Sequence, residues 1–124
     1  MSLDVFLESG DELDRERVES ALARNGIAAD SIVTTADGGE ASVSLDEDGV
    51  VFVARSVTRE LAQVMFDVAA AAGLAVLPAD GTPTALVAGE ATVPDELEPV
   101  DVPDADALFE ALRRSEELRG ARTA

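Results

Sequence analysis

The sequence predicts an α+β fold, an antiparallel sheet with helices on one face, and three observations predict it. Apolar residues recur at helical spacing over residues 57–72 and, more narrowly, over 14–25. Short segments around them alternate apolar and polar residues at period 2, beginning with Leu3-Asp4-Val5-Phe6-Leu7-Glu8. The tetrad Asp46-Glu47-Asp48-Gly49 separates two strand-like segments closely enough to make a hairpin, which fixes an antiparallel pair.

The elements follow in order. After the strand 3–8, Asp14 is placed to cap a helix, and Leu13 to staple onto Val18. Val18, Ala21 and Leu22 give that helix a narrow apolar stripe, and Asn25-Gly26 supplies a left-handed stop. A strand is expected over 31–35, then the loop Ala36-Asp37-Gly38-Gly39, then the clean alternation Ala41, Val43, Leu45. Gly49 is expected at the left-handed position of the hairpin turn. Residues 50–54 are apolar on both faces, as a central strand requires. In the helix 57–72, Leu61, Val64, Met65, Val68, Ala69 and Ala72 make the stripe, Ser56 or Thr58 can cap, and Gly73 closes. Strands are expected over 74–77 and 84–88, with Pro78-Ala79-Asp80-Gly81 turning between them. Pro94, Pro99 and Pro103 among acidic residues mark 90–103 as an extended acidic linker. A final amphipathic helix over 104–119 starts at the cap Asp104, with Ala105, Leu108, Phe109 and Leu112 as its apolar stripe.

This order resembles the βαββαβ ferredoxin-like sandwich over residues 2–88, with extra strands and a C-terminal helix added. The resemblance implies one domain over 1–89, with strands 3–8 and 50–54 paired at its centre and two helices on one face. The stretch Ala21 to Val33, ALARNGIAADSIV, is similar to the helix-to-strand passage of ACT regulatory domains. The turn after the first strand, Glu8-Ser9-Gly10-Asp11, lacks the proline usual in that family. That similarity implies a small-ligand or anion-sensing alternative.

Charge bounds the rest. The 124 residues carry 26 acidic side chains against nine basic ones, all Arg, for a net charge of −17. Surface scaling gives roughly 6,300 Å² of exposed area, or one net charge per roughly 370 Å². A charge excess of this size keeps a protein soluble and strains its compact state, and molar salt relieves the strain. The bias resembles that of halophilic archaeal cytoplasmic proteins, which are acidic and poor in Lys. Residues 1–10 lack the basic and apolar regions of a signal peptide, and no apolar run approaches a bilayer span. The expectation is a soluble cytoplasmic protein.

The same composition narrows the chemistry. There is no His, Cys, Lys, Tyr or Trp, so the usual general bases, thiol nucleophiles and thiolate metal sites are absent. Asp46, Glu47 and Asp48 read as a solvated turn, because the calcium-loop pattern needs a Glu after the Gly and apolar residues follow. Asp101, Asp104 and Asp106 read as linker and helix cap. Arg113, Arg114, Arg119 and Arg122 are the one basic cluster, interleaved with acids and without aromatic stacking residues, so nucleic acid is not expected, nor is a membrane. Arg55, Ser56, Thr58 and Arg59 surround the start of the second helix, where free N–H groups favour an anion; they are the candidate ligand site. No cofactor or metal is expected.

Phe6 lies on the face of its strand opposite Leu3, Val5 and Leu7, with Val51 and Val53 on the matching face of strand 50–54. A sheet with helices on one face leaves such a strip bare unless it is covered. The expected cover is the C-terminal helix through Leu108, Phe109 and Leu112, or a second copy. The sequence thus reads as a small, acidic, non-enzymatic interaction or regulatory domain with a protein partner or a homodimeric state.

Overall fold

In the computed structural model, which describes residues 3–10, 13–28, 30–47, 49–79, 84–89, 91 and 93–123 (side chains through 117 in the last helix), the first alternation becomes a strand with one face on the core. Leu3, Val5 and Leu7 are buried, while Asp4, Phe6 and Glu8 are half-buried. The elements are β1 (Leu3–Glu8), α1 (Arg15–Arg24), β2 (Ser31–Thr34), β3 (Glu40–Leu45), β4 (Gly49–Ser56), α2 (Arg59–Ala72), β5 (Ala75–Pro78), β6 (Thr84–Val87), β7 (Glu98–Asp101) and α3 (Ala105–Thr123). The fold is α+β. The seven strands found among the described residues form one sheet in the order β2-β3-β4-β1-β5-β6-β7. Every neighbouring pair is antiparallel except β6 and β7.

Local chemistry sets the ends of the helices. The Asp14 carboxylate accepts the Arg17 N–H at 3.1 Å to open α1, and Gly26 follows its end at φ 69°. Thr58 opens α2 by accepting the Leu61 N–H, and Gly73 closes it in the left-handed region. The Arg17 side chain donates to the Ala71 carbonyl at 2.7 Å, placing a cation on the negative end of α2. The buried stripe of α2 includes Ala62, whereas Val64 is only half-buried. It is turned this way because α2 lies between α1 and α3 rather than at an outer edge.

Gly49 departs from its expected role. Its φ is 158°, not a left-handed turn value, and a Cβ there would run into the backbone carbonyl of Leu7 on the paired strand. Close approach of β4 to β1, not turn geometry, requires glycine at this position.

The segment expected as a linker supplies a strand. Residues Glu98–Asp101 pair parallel with β6, from Thr84↔Glu98 to Val87↔Asp101. An edge position accommodates this acidic sequence, because its side chains stay in water and Pro99 need donate no ladder bond. The helix that follows joins the main core: Leu108 and Leu112 are fully buried in one cluster with Leu3, Val5, Leu61 and Met65. The three helices found among the described residues therefore pack on the face of the sheet that carries Leu3, Val5 and Leu7.

Candidate functional site

Among the described residues, the opposite face of the sheet carries no helix. Its centre is a row set by register: Ser44 lies opposite Val51, Val51 opposite Phe6, and Phe6 opposite Leu77. The next row runs Ile32, Ser42, Val53, Asp4. Phe6, Val51, Val53 and Leu77 are half-buried, and none belongs to the core cluster or packs against it. Phe6 is flanked in register by Val51 on one side and Leu77 on the other, the spacing at which cross-strand side chains are neighbours.

The expected lid is elsewhere. Leu108 and Leu112 are buried on the helical face, and Phe109 is half-buried there, with the Arg59 guanidinium 5.0 Å and the Arg113 guanidinium 5.7 Å from its ring centre. The structure thus separates Phe6, Val51 and Val53 from Leu108, Phe109 and Leu112. An apolar stripe fits either face of a sheet equally well, so the stripe alone does not tell which face α3 meets.

Part of the second face is covered by other means. Ala75 lies opposite Val87, and Ala85 shares their side; all three are buried yet stand outside the core cluster. β4 and β5 run parallel, and α2 joins them across the helical face. β6 and β7 run the other way, and their connection travels in the same direction across the sheet. A right-handed crossover then puts that connection on the second face. Its residues Val93, Pro94 and Leu97 are half-buried, in keeping with this path. The open part of the face is therefore the β4–β1 side.

At the start of α2 the structure supplies an anion of its own. Asp37, in the connection between β2 and β3, accepts the Thr35 hydroxyl at 2.6 Å and the Glu60 N–H at 3.1 Å. The Thr35 and Thr58 hydroxyl oxygens lie 3.3 Å apart, and the Gly39 N–H donates to Thr35 at 2.9 Å. Hydrogen bonds from Thr35 and then Thr58 hold the Asp37 carboxyl down at about 2 against the opposing effect of desolvation, with lesser help from the Glu60 and Gly39 amides. A side chain at Gly39 would collide with both threonine hydroxyls. Sequence reading passed over Asp37 because its amide partner is 23 residues away.

The four residues of the candidate ligand site do not converge. Thr58 is the cap, and Ser56 is exposed at the end of β4. Arg55 lies 3.8 Å from Glu40 on the second face. Arg59 points the other way, onto Asp106 of α3 at 2.7 Å and over Phe109. A depression of about 120 Å³ lined by Ile32, Glu40, Ser42 and Arg55 lies beside β2, well below the roughly 300–1,000 Å³ of small-molecule sites. A broader trough of about 490 Å³ runs between α1 and α2. Its lining residues Arg24, Asp67 and Ala70 are exposed, so it would enclose little of a ligand.

The remaining acidic candidates have local roles. Asp46 accepts the Glu47 N–H at 2.7 Å, and Asp48 lies outside the described residues. Asp104 caps α3 through the Ala107 N–H at 2.8 Å, Asp106 pairs with Arg59, and Asp101 is exposed on β7. Among the described residues no three acidic side chains gather to hold a metal ion. Arg113 lies over Phe109 and Arg114 is exposed, while the side chains of Arg119 and Arg122 lie outside the described residues, as do Asp80 and Gly81 of the expected turn. No helix among the described residues is long and apolar enough to cross a membrane. Comparison with protein-family models, with curated proteins and with solved structures finds no match.

Proposed function

We propose that this chain is a non-enzymatic interaction domain that presents the second face of its sheet to a protein partner. β1, α1, β3, β4, α2 and β5 form a ferredoxin-like unit in this reading, supported by the strand order β3-β4-β1-β5, with β2, β6, β7 and α3 as additions. The observation that carries the function is the half-open row Val51–Phe6–Leu77 at the centre of a sheet whose helices, among the described residues, lie on the other side. A chain with four aromatic residues leaves one of them there. Asp4 stands opposite Val53 at the border of the row, and the chain as a whole carries −17 charges. The complementary partner is apolar at its centre and basic at its rim. The acid surplus belongs to the same reading, as adaptation to a salt-rich cytoplasm.

Paired baits test it. Wild type and Val53→Glu are used to capture partners from source-cell extract in molar KCl, and the captured protein is then purified and titrated. Val53→Glu should weaken binding at least tenfold while unfolding near the wild-type temperature. No saturable partner, or one held equally by both baits, would sink the proposal.

A further inference from the structure

The sheet has two edges of equal length and opposite chemistry. β7 reads Glu98-Pro99-Val100-Asp101 and is exposed throughout. Two carboxylates and a proline are devices that stop another strand from adding. β2 reads Ser31-Ile32-Val33-Thr34, without charge or proline, in a chain with 26 acidic residues. Its two central residues are β-branched, and among the described residues no strand lies beside its outer row of N–H and C=O groups. Ile32, at 67% exposure, is the most exposed large apolar side chain among the described residues.

We propose that β2 pairs antiparallel with β2 of a second copy, across a two-fold axis normal to the sheet that passes beside Ile32. The occupant follows from charge and length. The uncharged edge spans four residues, bordered by Asp30 before it and Asp37 beyond it. A longer foreign strand would overrun these acids, whereas an identical strand centred on Ile32 pairs Ser31 with Val33 and Ile32 with Ile32, and brings Asp30 opposite only the uncharged Thr34. The axis follows from the pleat. Alternate residues point to alternate faces, and a two-fold axis normal to the sheet keeps each face on its own side. The axis must therefore fall on a residue position, Ile32 or Val33. Through Val33, Ile32 would face Thr34. Through Ile32, the two exposed isoleucines meet on the second face and bury one another.

The assembly is one continuous sheet with both second faces on the same side. It does not rest on the docking role proposed above, since it uses the edge and not the face. Two bodies of −17 repel across this seam at low salt. At about 1 M salt the Debye length is about 3 Å, and the seam can close.

The chain has no cysteine, so Ile32→Cys introduces a single thiol per copy. Opposite residues in an antiparallel pair place their Cβ atoms about 4.5–5.5 Å apart, close enough to bridge with a small shift. In molar KCl with a mild oxidant, Ile32→Cys should form a disulfide-linked dimer at least tenfold faster than Val100→Cys, an exposed position on the other edge. Wild type should sediment as a dimer in molar KCl, and Ile32→Lys as a monomer with an unchanged circular dichroism spectrum. Equal rates for the two cysteine variants, or a wild type that stays monomeric in molar KCl, would overturn the proposal. So would a dimer that survives Ile32→Lys but is lost in Val53→Glu, because that dimer would use the second face.

Discussion

Asp37 ties the connection between β2 and β3 to the start of α2 with one carboxylate, and its hydrogen bonds make that tie depend on charge. Its folded pKa of about 2 lies below the ordinary 3.8, so folding favours the ionised form. The stabilisation is complete above about pH 4 and is lost as the pH falls through about 2. Asp37→Asn should therefore lower the thermal midpoint at pH 7, and its gap from wild type should close as the pH approaches 2. Midpoints followed by circular dichroism across that range check this; a gap independent of pH would mean that the charge is not what holds the loop. Met65 makes the opposite case, a residue whose place is legible from spacing alone. It is fully buried in the middle of α2. Met65→Asp should cost about 3–5 kcal/mol in a urea titration, because it places an unpaired charge in the core.

Among the elements, legibility follows where the information is stored. β1, β4, α2 and the hairpin between β3 and β4 were readable because alternation, helical stripe and turn sit within a dozen residues of sequence. β7 was not, because an exposed edge strand has no buried face and so no apolar alternation to read. The site was legible only in part. Phe6, Val51 and Val53 were identified from the parity of two strands, but Asp37 and the side of the sheet taken by α3 depend on contacts between distant segments. α3 is a part of the core rather than an appendage, and a single truncation tests this. Leu112 is fully buried, so Leu112→Ala should cost about 2–5 kcal/mol by chemical denaturation. A cost near zero would make α3 a loosely docked helix. Gly49→Ala should also destabilise the chain, because β4 would have to move off the Leu7 carbonyl.

For the whole molecule, charge sets the working solvent. The surface is 6578 Å², which is about 390 Å² per net negative charge, a spacing of about 20 Å against a Debye length of about 8 Å at physiological salt. The mean spacing exceeds the screening length, so the remaining strain lies where acids cluster. If the surplus is salt adaptation, the thermal midpoint should climb steeply between about 0.1 M and 2 M KCl. A midpoint that barely moves over that range would remove the halophilic reading. Strand order has a consequence of another kind. β1 stands at the middle of the sheet, between β4 and β5, and its partners run from Gly49 to Pro78. On a ribosome adding about 5–20 residues per second, the central strand emerges first and waits several seconds for either neighbour. Until then Leu3, Val5, Phe6 and Leu7 have no ladder to join, and chaperones or other nascent chains can compete for them. Nascent chains arrested before Pro78 clears the exit tunnel should be protease-sensitive throughout, with full protection arriving only once α3, which completes the core, is also free.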